Sequence, residues 1–235
     1  MNMEWDVSRP ASLGRVLFEN LATLVERNPM NILLCCARDW KLARQDRIER
    51  QTEERRNKER ISILRNYFVQ DAVGAELGVH KGYFSRVLLC ELKPQRLYLI
   101  DPWYQLGREW SWGPGNRGTC RALSKIVMNL EEDLVAGRAV LRIGDDLEQL
   151  MHLPDGCLDW AYVDSSHAYE HTARELELLN SKVKPAGYIG GDDWRPDPAE
   201  RHHGVYRAVQ EFIAATEWRL AYSNDENLQW ILVRG

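Results

Sequence analysis

The pattern of apolar and polar positions changes character near residue 70. Before that point, "LGRVLFENLATLVE" places apolar residues at helical spacing, and Asn28-Pro29 interrupts the run. Between Arg38 and Arg65 the chain holds ten basic and six acidic residues. Intermixed signs of this kind belong to a solvated helix with i,i+4 pairs. Nucleic acid is not expected as a partner, because the acids dilute the positive charge that phosphates require. Residues 11–66 are therefore predicted to be helical. Residues 1–69 are read as an N-terminal helical extension, whose apolar stripe would pack on the rest of the chain or build a homo-oligomer.

After residue 70, short apolar runs alternate with amphipathic segments. "AVGAELGV" (72–79), "RLYLIDPW" (96–103), "AVLRIGDD" (139–146), "LDWAYVDSS" (158–166) and "AGYIGGDDW" (186–194) have the continuous apolar habit of strands covered on both faces. Helix candidates lie between them at 81–91, 120–136, 146–151, 169–181 and 203–216. Such alternation predicts an α/β, doubly wound, Rossmann-like, mostly parallel sheet over residues 70–235. The end differs. "WRLAYSN" and "LQWILVRG" flank "DEN", a hairpin signal, so an antiparallel pair is expected to close the sheet.

Composition narrows the class. In 235 residues, 44% hydrophobic and 28% charged positions support an ordinary core, and a net charge of −4 selects no partner. No apolar run approaches 18 residues and the start lacks a basic-then-apolar signal pattern. The expectation is a cytoplasmic protein without a membrane partner. Five cysteines without a CxxC spacing fit idle thiols in a reducing compartment.

The candidate chemistry begins at "GAELGVHKG", which sets Gly74, Gly78 and Gly82 around a strand-to-helix turn. Glycines let a backbone approach a ligand there, and the next helix offers free N–H groups. A tight turn alone would account for them equally well. Glu76, however, needs a cation if it is buried, and Asp101 ends the next strand where an acid can hold ribose hydroxyls. The spacing is not G-x-G-x-x-G. An acid inside the turn suits a cofactor bearing an amino group better than a pyrophosphate. E-x-G-x-x-x-G after strand one, acids ending strands two and four, and "GDD" after strand three resemble class I S-adenosylmethionine-dependent methyltransferases. The resemblance covers residues 70–235 and implies a seven-stranded sheet. It further implies that Glu76, Gly78 and Gly82 lie at the methionine end of the cofactor, Asp101 at the ribose, and Asp145 or Asp146 near the adenine.

Asp164, Asp192 and Asp193 end the fourth and fifth predicted strands, and His167 follows Asp164 by three residues. Each acid alone is met by a helix cap or a solvated loop. Together, at strand ends about 4.8 Å apart, they would repel one another. A hard divalent cation, Mg2+ before other ions, is the expected remedy. The D-x-x-H spacing with a later acid pair is similar to metal-dependent sugar O-methyltransferases of the macrolide and aminocoumarin type. "VKPAGYIGGDDW" stands where "LKPGG" is commoner, so Ala186 departs from the pattern. The expected catalytic residues are Asp164 and His167, with His167 as general base toward a hydroxyl of a small molecule or sugar. His171 is read as an outer or exposed group, and His202 and His203 as rim residues. "WYQLGREWSWGPGNRG" (103–118) has the length and tryptophan content of a lid. A metal-independent transferase acting on another acceptor, a nucleotide-dependent oxidoreductase and a non-catalytic binding module remain as alternatives.

Overall fold

A computed structural model describes residues 29–105 and 117–235. The expected helix over 11–28 and the tryptophan-bearing part of the lid, with Trp110 and Trp112, lie outside the described residues. The chain forms two compact units, Met1–Gln51 and Thr52–Gly235. Cys90, Cys120 and Cys157 are free thiols. No helix among the described residues is long and apolar enough to cross a membrane.

The second unit is an α/β fold around one seven-stranded sheet. Its strands are β1 (Val73–Leu77), β2 (Arg96–Asp101), β3 (Ala139–Ile143), β4 (Leu158–Val163), β5 (Val183–Gly191), β6 (Trp218–Asn224) and β7 (Gln229–Arg234). They stand in the order β3-β2-β1-β4-β5-β7-β6. The first five are parallel, and β7 pairs antiparallel with both β5 and β6. The doubly wound sheet with an antiparallel end is the one expected from the alternation of runs. β1 and β4 are neighbours in space but not in sequence, so the strand order reverses between them. Ligands of open parallel sheets bind at that crevice, beyond the C-terminal strand ends.

The helices are α1 (Pro29–Leu64), α2 (Tyr83–Glu91), α3 (Arg117–Asn129), α4 (Glu131–Val135), α5 (Asp146–Met151), α6 (Tyr169–Lys182) and α7 (His203–Ala215). The single helix expected over 120–136 is two. Leu130 leaves helical geometry between α3 and α4, and its buried side chain anchors the break in the core. The fifth strand begins earlier than expected, at Val183, and passes through Pro185 beside a register shift against β4. An irregular site is where a strand tolerates proline.

Each sheet face carries its own core. On one, Ile61, Leu64, Phe68, Phe84, Leu88, Ile126, Trp160 and Tyr162 are packed together. On the other, Leu77, Leu150, Leu176, Val205, Val209 and Trp230 do the same. The last turns of α1 join the first face through a stripe at helical spacing: Asn57, Arg60, Ile61, Leu64 and then Phe68 are all buried. Phe68 stacks on Trp160 with ring centroids 4.9 Å apart, and Trp160 Nε1 donates to the Val69 carbonyl at 3.2 Å. This packing carries two arginines of α1 to the strand ends.

Candidate active site

The turn after β1 is held from both sides. Gly78 has φ +82°, and a Cβ there would overlap the Asp164 carbonyl, so the turn and the end of β4 lie in backbone contact. Gly82 has φ +71° and begins α2, where a side chain would collide with Ile126. Both positions need glycine for reasons of packing and handedness. Asp101 closes the turn. Its Oδ2 accepts from the N–H groups of Val79 (3.0 Å) and His80 (2.8 Å), and its Oδ1 from Trp103 N–H (2.7 Å). A carboxylate has lone pairs to spare beyond these three.

Glu76 lies within β1, beside Leu99 of β2 and Tyr162 of β4. It is buried, and Ser85 Oγ donates to its Oε2 at 2.5 Å. Burial pushes its carboxyl up to about 8; the Ser85 hydrogen bond opposes that shift and the Asp164 charge adds to it. Asp145 caps α5, accepting from Leu147 N–H at 3.1 Å and Glu148 N–H at 3.3 Å. Asp146 is buried and meets His171 Nε2 at 2.5 Å. His171 also faces the wholly buried Glu175, which burial and the Asp146 charge raise well above the carboxylate range. His171 is therefore part of an acid cluster under the β3 end, which its sequence context did not reveal.

The structure does bring Asp164, Asp192, Asp193 and His167 together. One oxygen from each of the three acids lies within 4.8 Å of the others. Their partners differ from those expected. Asp192 Oδ2 meets the guanidinium groups of both Arg56 and Arg60, and its Oδ1 accepts from Gln229 Nε2 at 2.6 Å. Gln229 Oε1 in turn accepts from the Tyr162 hydroxyl at 2.7 Å, and Trp230 Nε1 donates to the Asp192 carbonyl at 2.9 Å. Arg60 also reaches Asp164 Oδ2 at 3.3 Å, with its guanidinium over the rings of Phe84 and Tyr162. Burial pushes Asp192 up to about 6 and the Asp164 charge adds to this, while Arg60 and Arg56 pull it back.

Asp193 faces the other way. Its Oδ1 accepts from Arg195 Nε at 3.0 Å, and its Oδ2 lies 3.0 Å from both His167 Nδ1 and His202 Nδ1. The two imidazoles stack with centroids 4.5 Å apart. His167, Asp193 and His202 all have left-handed backbones, with φ of 60°, 61° and 70°. Each such non-glycine residue costs about 1–3 kcal/mol and persists where its surroundings hold it, as at functional sites. Burial favours the neutral form of His167, but the hydrogen bond to Asp193 and the charges of Asp164, Asp193 and Asp192 outweigh it and raise the pKa. For His202, burial and the neighbouring His167 and Arg201 charges outweigh Asp193 and lower it. His167 Nε2 points to Asp164 Oδ1, 4.0 Å away.

The match to known proteins agrees with this layout. Residues 75–194, just over half of the chain, match the family described as "Methyltransferase domain". The chain belongs to that family. The resemblance read from the glycine turn and strand-end acids holds at this level, that of S-adenosylmethionine-dependent methyltransferases. Solved structures share the fold. A Staphylococcus aureus protein provisionally named a caffeoyl-CoA O-methyltransferase is 16% identical with a TM-score of 0.56, over 76% of this chain and 82% of that one. An O-methyltransferase from Bacillus cereus, solved in complex with SAH, is 15% identical with a TM-score of 0.52, over 76% and 80%. No curated protein matches in sequence.

Arg56, Arg60, Gln229 and the contact of His202 with Asp193 were not expected from the sequence. The helical spacing of Arg60 with Ile61 and Leu64 is readable in the sequence, but the mixed charges around it read as a solvated face and hide its role. His202 had none: it meets Asp193 through the loop before α7.

The two histidines yield a direct test. His167 should titrate above 6.5 and His202 below it when their ring protons are followed by NMR. His167 is raised in the folded state, so its contribution to stability is full below the unfolded pKa and fades as pH rises through the folded one. Asp193→Asn should bring His167 down. Coincident titration of both rings near 6.5 would contradict the arrangement.

Proposed function

We propose that this methyltransferase moves a methyl group from S-adenosylmethionine to a hydroxyl oxygen of a small molecule, a sugar among the candidate classes. The observation that carries this reading is the Asp193–His167 pair at the strand ends. One imidazole nitrogen lies 3.0 Å from the Asp193 carboxylate, and the other stands 4.0 Å from Asp164, just past the end of β4. A carboxylate on Nδ1–H fixes the tautomer that leaves Nε2 basic, and it stabilises the imidazolium that forms. A hydroxyl acceptor has a proton to lose, so such a base is useful to it. The names of the two O-methyltransferase neighbours point the same way.

The chemistry of the turn fits the cofactor. Glu76 is a buried carboxyl beside the glycine turn, and an α-ammonium group placed against it would draw it into the charged form. Asp101 retains lone pairs for ribose hydroxyls, and Asp146 lies at the end of β3, where adenine is expected. S-adenosylmethionine, when bound, supplies an electrophilic methyl on a sulfonium. As the acceptor oxygen took that methyl and the carbon–sulfur bond broke, leaving neutral S-adenosylhomocysteine, His167 Nε2 would take and hold the hydroxyl proton. Asp193 balances the new charge, and Arg195 and His202 hold Asp193 in place. Asp164, 4.0 Å from His167 Nε2, orients the acceptor hydroxyl toward the ring.

A divalent metal on Asp164, Asp192 and Asp193 is a separate matter, because those carboxylates already have cationic partners. The donor set does not fit a resident ion well: both oxygens of Asp192 are engaged, and both of Asp193 as well. No step is routed through one.

Two outcomes test the reading. Glu76 is protonated below about 8 in the free protein, so binding of the cofactor should release a proton. Its affinity should therefore rise as pH increases toward that value. Calorimetric titration in two buffers of different ionisation enthalpy measures the release, and a pH-independent affinity without proton release would remove the assignment. His167→Ala should keep cofactor affinity but lose roughly 100- to 10,000-fold in rate, the range of a general base. Wild-type rate should climb with pH through a midpoint above 6.5, where His167 becomes neutral. A His167→Ala enzyme with near-normal rate would place the base elsewhere.

A further inference from the structure

Three carboxylates converge at the ends of β4 and β5, and such a cluster calls for positive charge. The cation in contact with it belongs to the chain itself. Arg60 is only 2% exposed, and one of its guanidinium nitrogens bridges Asp192 Oδ2 and Asp164 Oδ2. Arg56, half-exposed on the previous turn of α1, meets the same Asp192 oxygen. Arg60 is held there by more than charge. Its guanidinium sits 5.2 Å from the ring centre of Phe84 and 5.8 Å from that of Tyr162, and the next residue, Ile61, is in the core. An arginine cannot shed its proton to make room.

We infer that Arg60, assisted by Arg56, is the resident cation of the Asp164–Asp192 cluster, standing where a divalent metal would otherwise bind. The inference rests on the charge and packing of the cluster and not on the choice of methyl acceptor. An ion entering between Asp164 and Asp192 has to take their facing oxygens from Arg60. The guanidinium would then remain buried among aromatic rings without its counter-charges, a costly state. The rest of the cluster is neutralised in the same way, Asp193 by Arg195 and His167. Arg60 is thus a positioning residue. It fixes the Asp192 side chain, and through Asp164 the crevice side of His167, without touching the reacting atoms.

The cluster is tested by titrating Mn2+ into the full chain and following its magnetic resonance signal, with no cofactor or acceptor needed. Wild type is expected to bind no ion at millimolar concentration. Arg60→Met releases Asp164 Oδ2 and leaves Asp192 with Arg56 as its one guanidinium partner, and it should bind Mn2+ at least about 10-fold more tightly, because ligand charge sets the affinity of oxygen sites. Arg60→Lys, which keeps a cation, should behave like wild type. A second measurement needs no variant: millimolar Mn2+ or Mg2+ should leave the wild-type melting temperature unchanged, since only a bound ligand raises it. One ion bound per wild-type chain and lost in Asp192→Asn would overturn the inference. So would an ion lost in His202→Ala but kept in Asp192→Asn, which would place it on His167, Asp193 and His202. A folded Arg60→Met that gains no Mn2+ would also count against it.

Discussion

Carboxylates that leave water need a cation or a proton, and the strand ends of this sheet hold more of them than water can reach. Asp192 and Asp193 are nearly inaccessible, and Asp164 stands beside them. The fold meets the demand with side chains from three places: Arg56 and Arg60 from α1, His167 from the segment before α6, and Arg195 and His202 from the loop between β5 and α7. The final turns of α1 are thereby part of the site. Their apolar residues pack on one face of the sheet, and their basic residues reach its C-terminal edge. A buried ion pair is weak support for stability relative to an apolar replacement, but breaking one side of it is severe, about 3–5 kcal/mol. The arrangement therefore ties the integrity of the domain to the same contacts that order its strand-end acids.

The acids divide by what they touch. Asp192 is the hub of a closed network through Gln229, Tyr162 and Trp230 and faces the interior. Asp193, its neighbour in sequence, faces the imidazoles. A backbone that turns left-handed at Asp193 sends adjacent side chains in different directions, and the same conformation at His167 and His202 brings their rings into a stack. Three strained residues in mutual contact place a polarised imidazole beside the crevice at the topological switch point. The glycine turn, stapled by Asp101, abuts the backbone of Asp164 at the end of β4.

The sheet was legible because buried parallel strands write themselves as continuous apolar runs, and the final hairpin as two runs around "DEN". The strand-end acids were legible for the same reason: Asp101, Asp164 and Asp192 each follow such a run. Three things were not. The break at Leu130 is invisible to periodicity, since Leu130 is itself a good helix former and only its burial dictates the kink. The role of Arg60 was obscured by its surroundings, a run of mixed charge that reads as a solvated face. The partners of each acid were also beyond reach, because Asp192 meets Arg60 across 132 residues and no local rule encodes that contact. Repulsion among the acids called for a divalent cation; that guanidinium groups meet Asp192 depends on the packing of α1, which the sequence does not spell out.

The coupling between Arg60 and Asp192 is the most direct measure of this account. A double-mutant cycle with Arg60→Met and Asp192→Asn, read by urea unfolding, separates the pair from the separate losses of each side chain. The account predicts that the double variant is more stable than the sum of the single losses implies, with a coupling of about 1–3 kcal/mol. Purely additive losses would contradict it, because they would mean that the buried guanidinium and the buried carboxylate do not depend on each other.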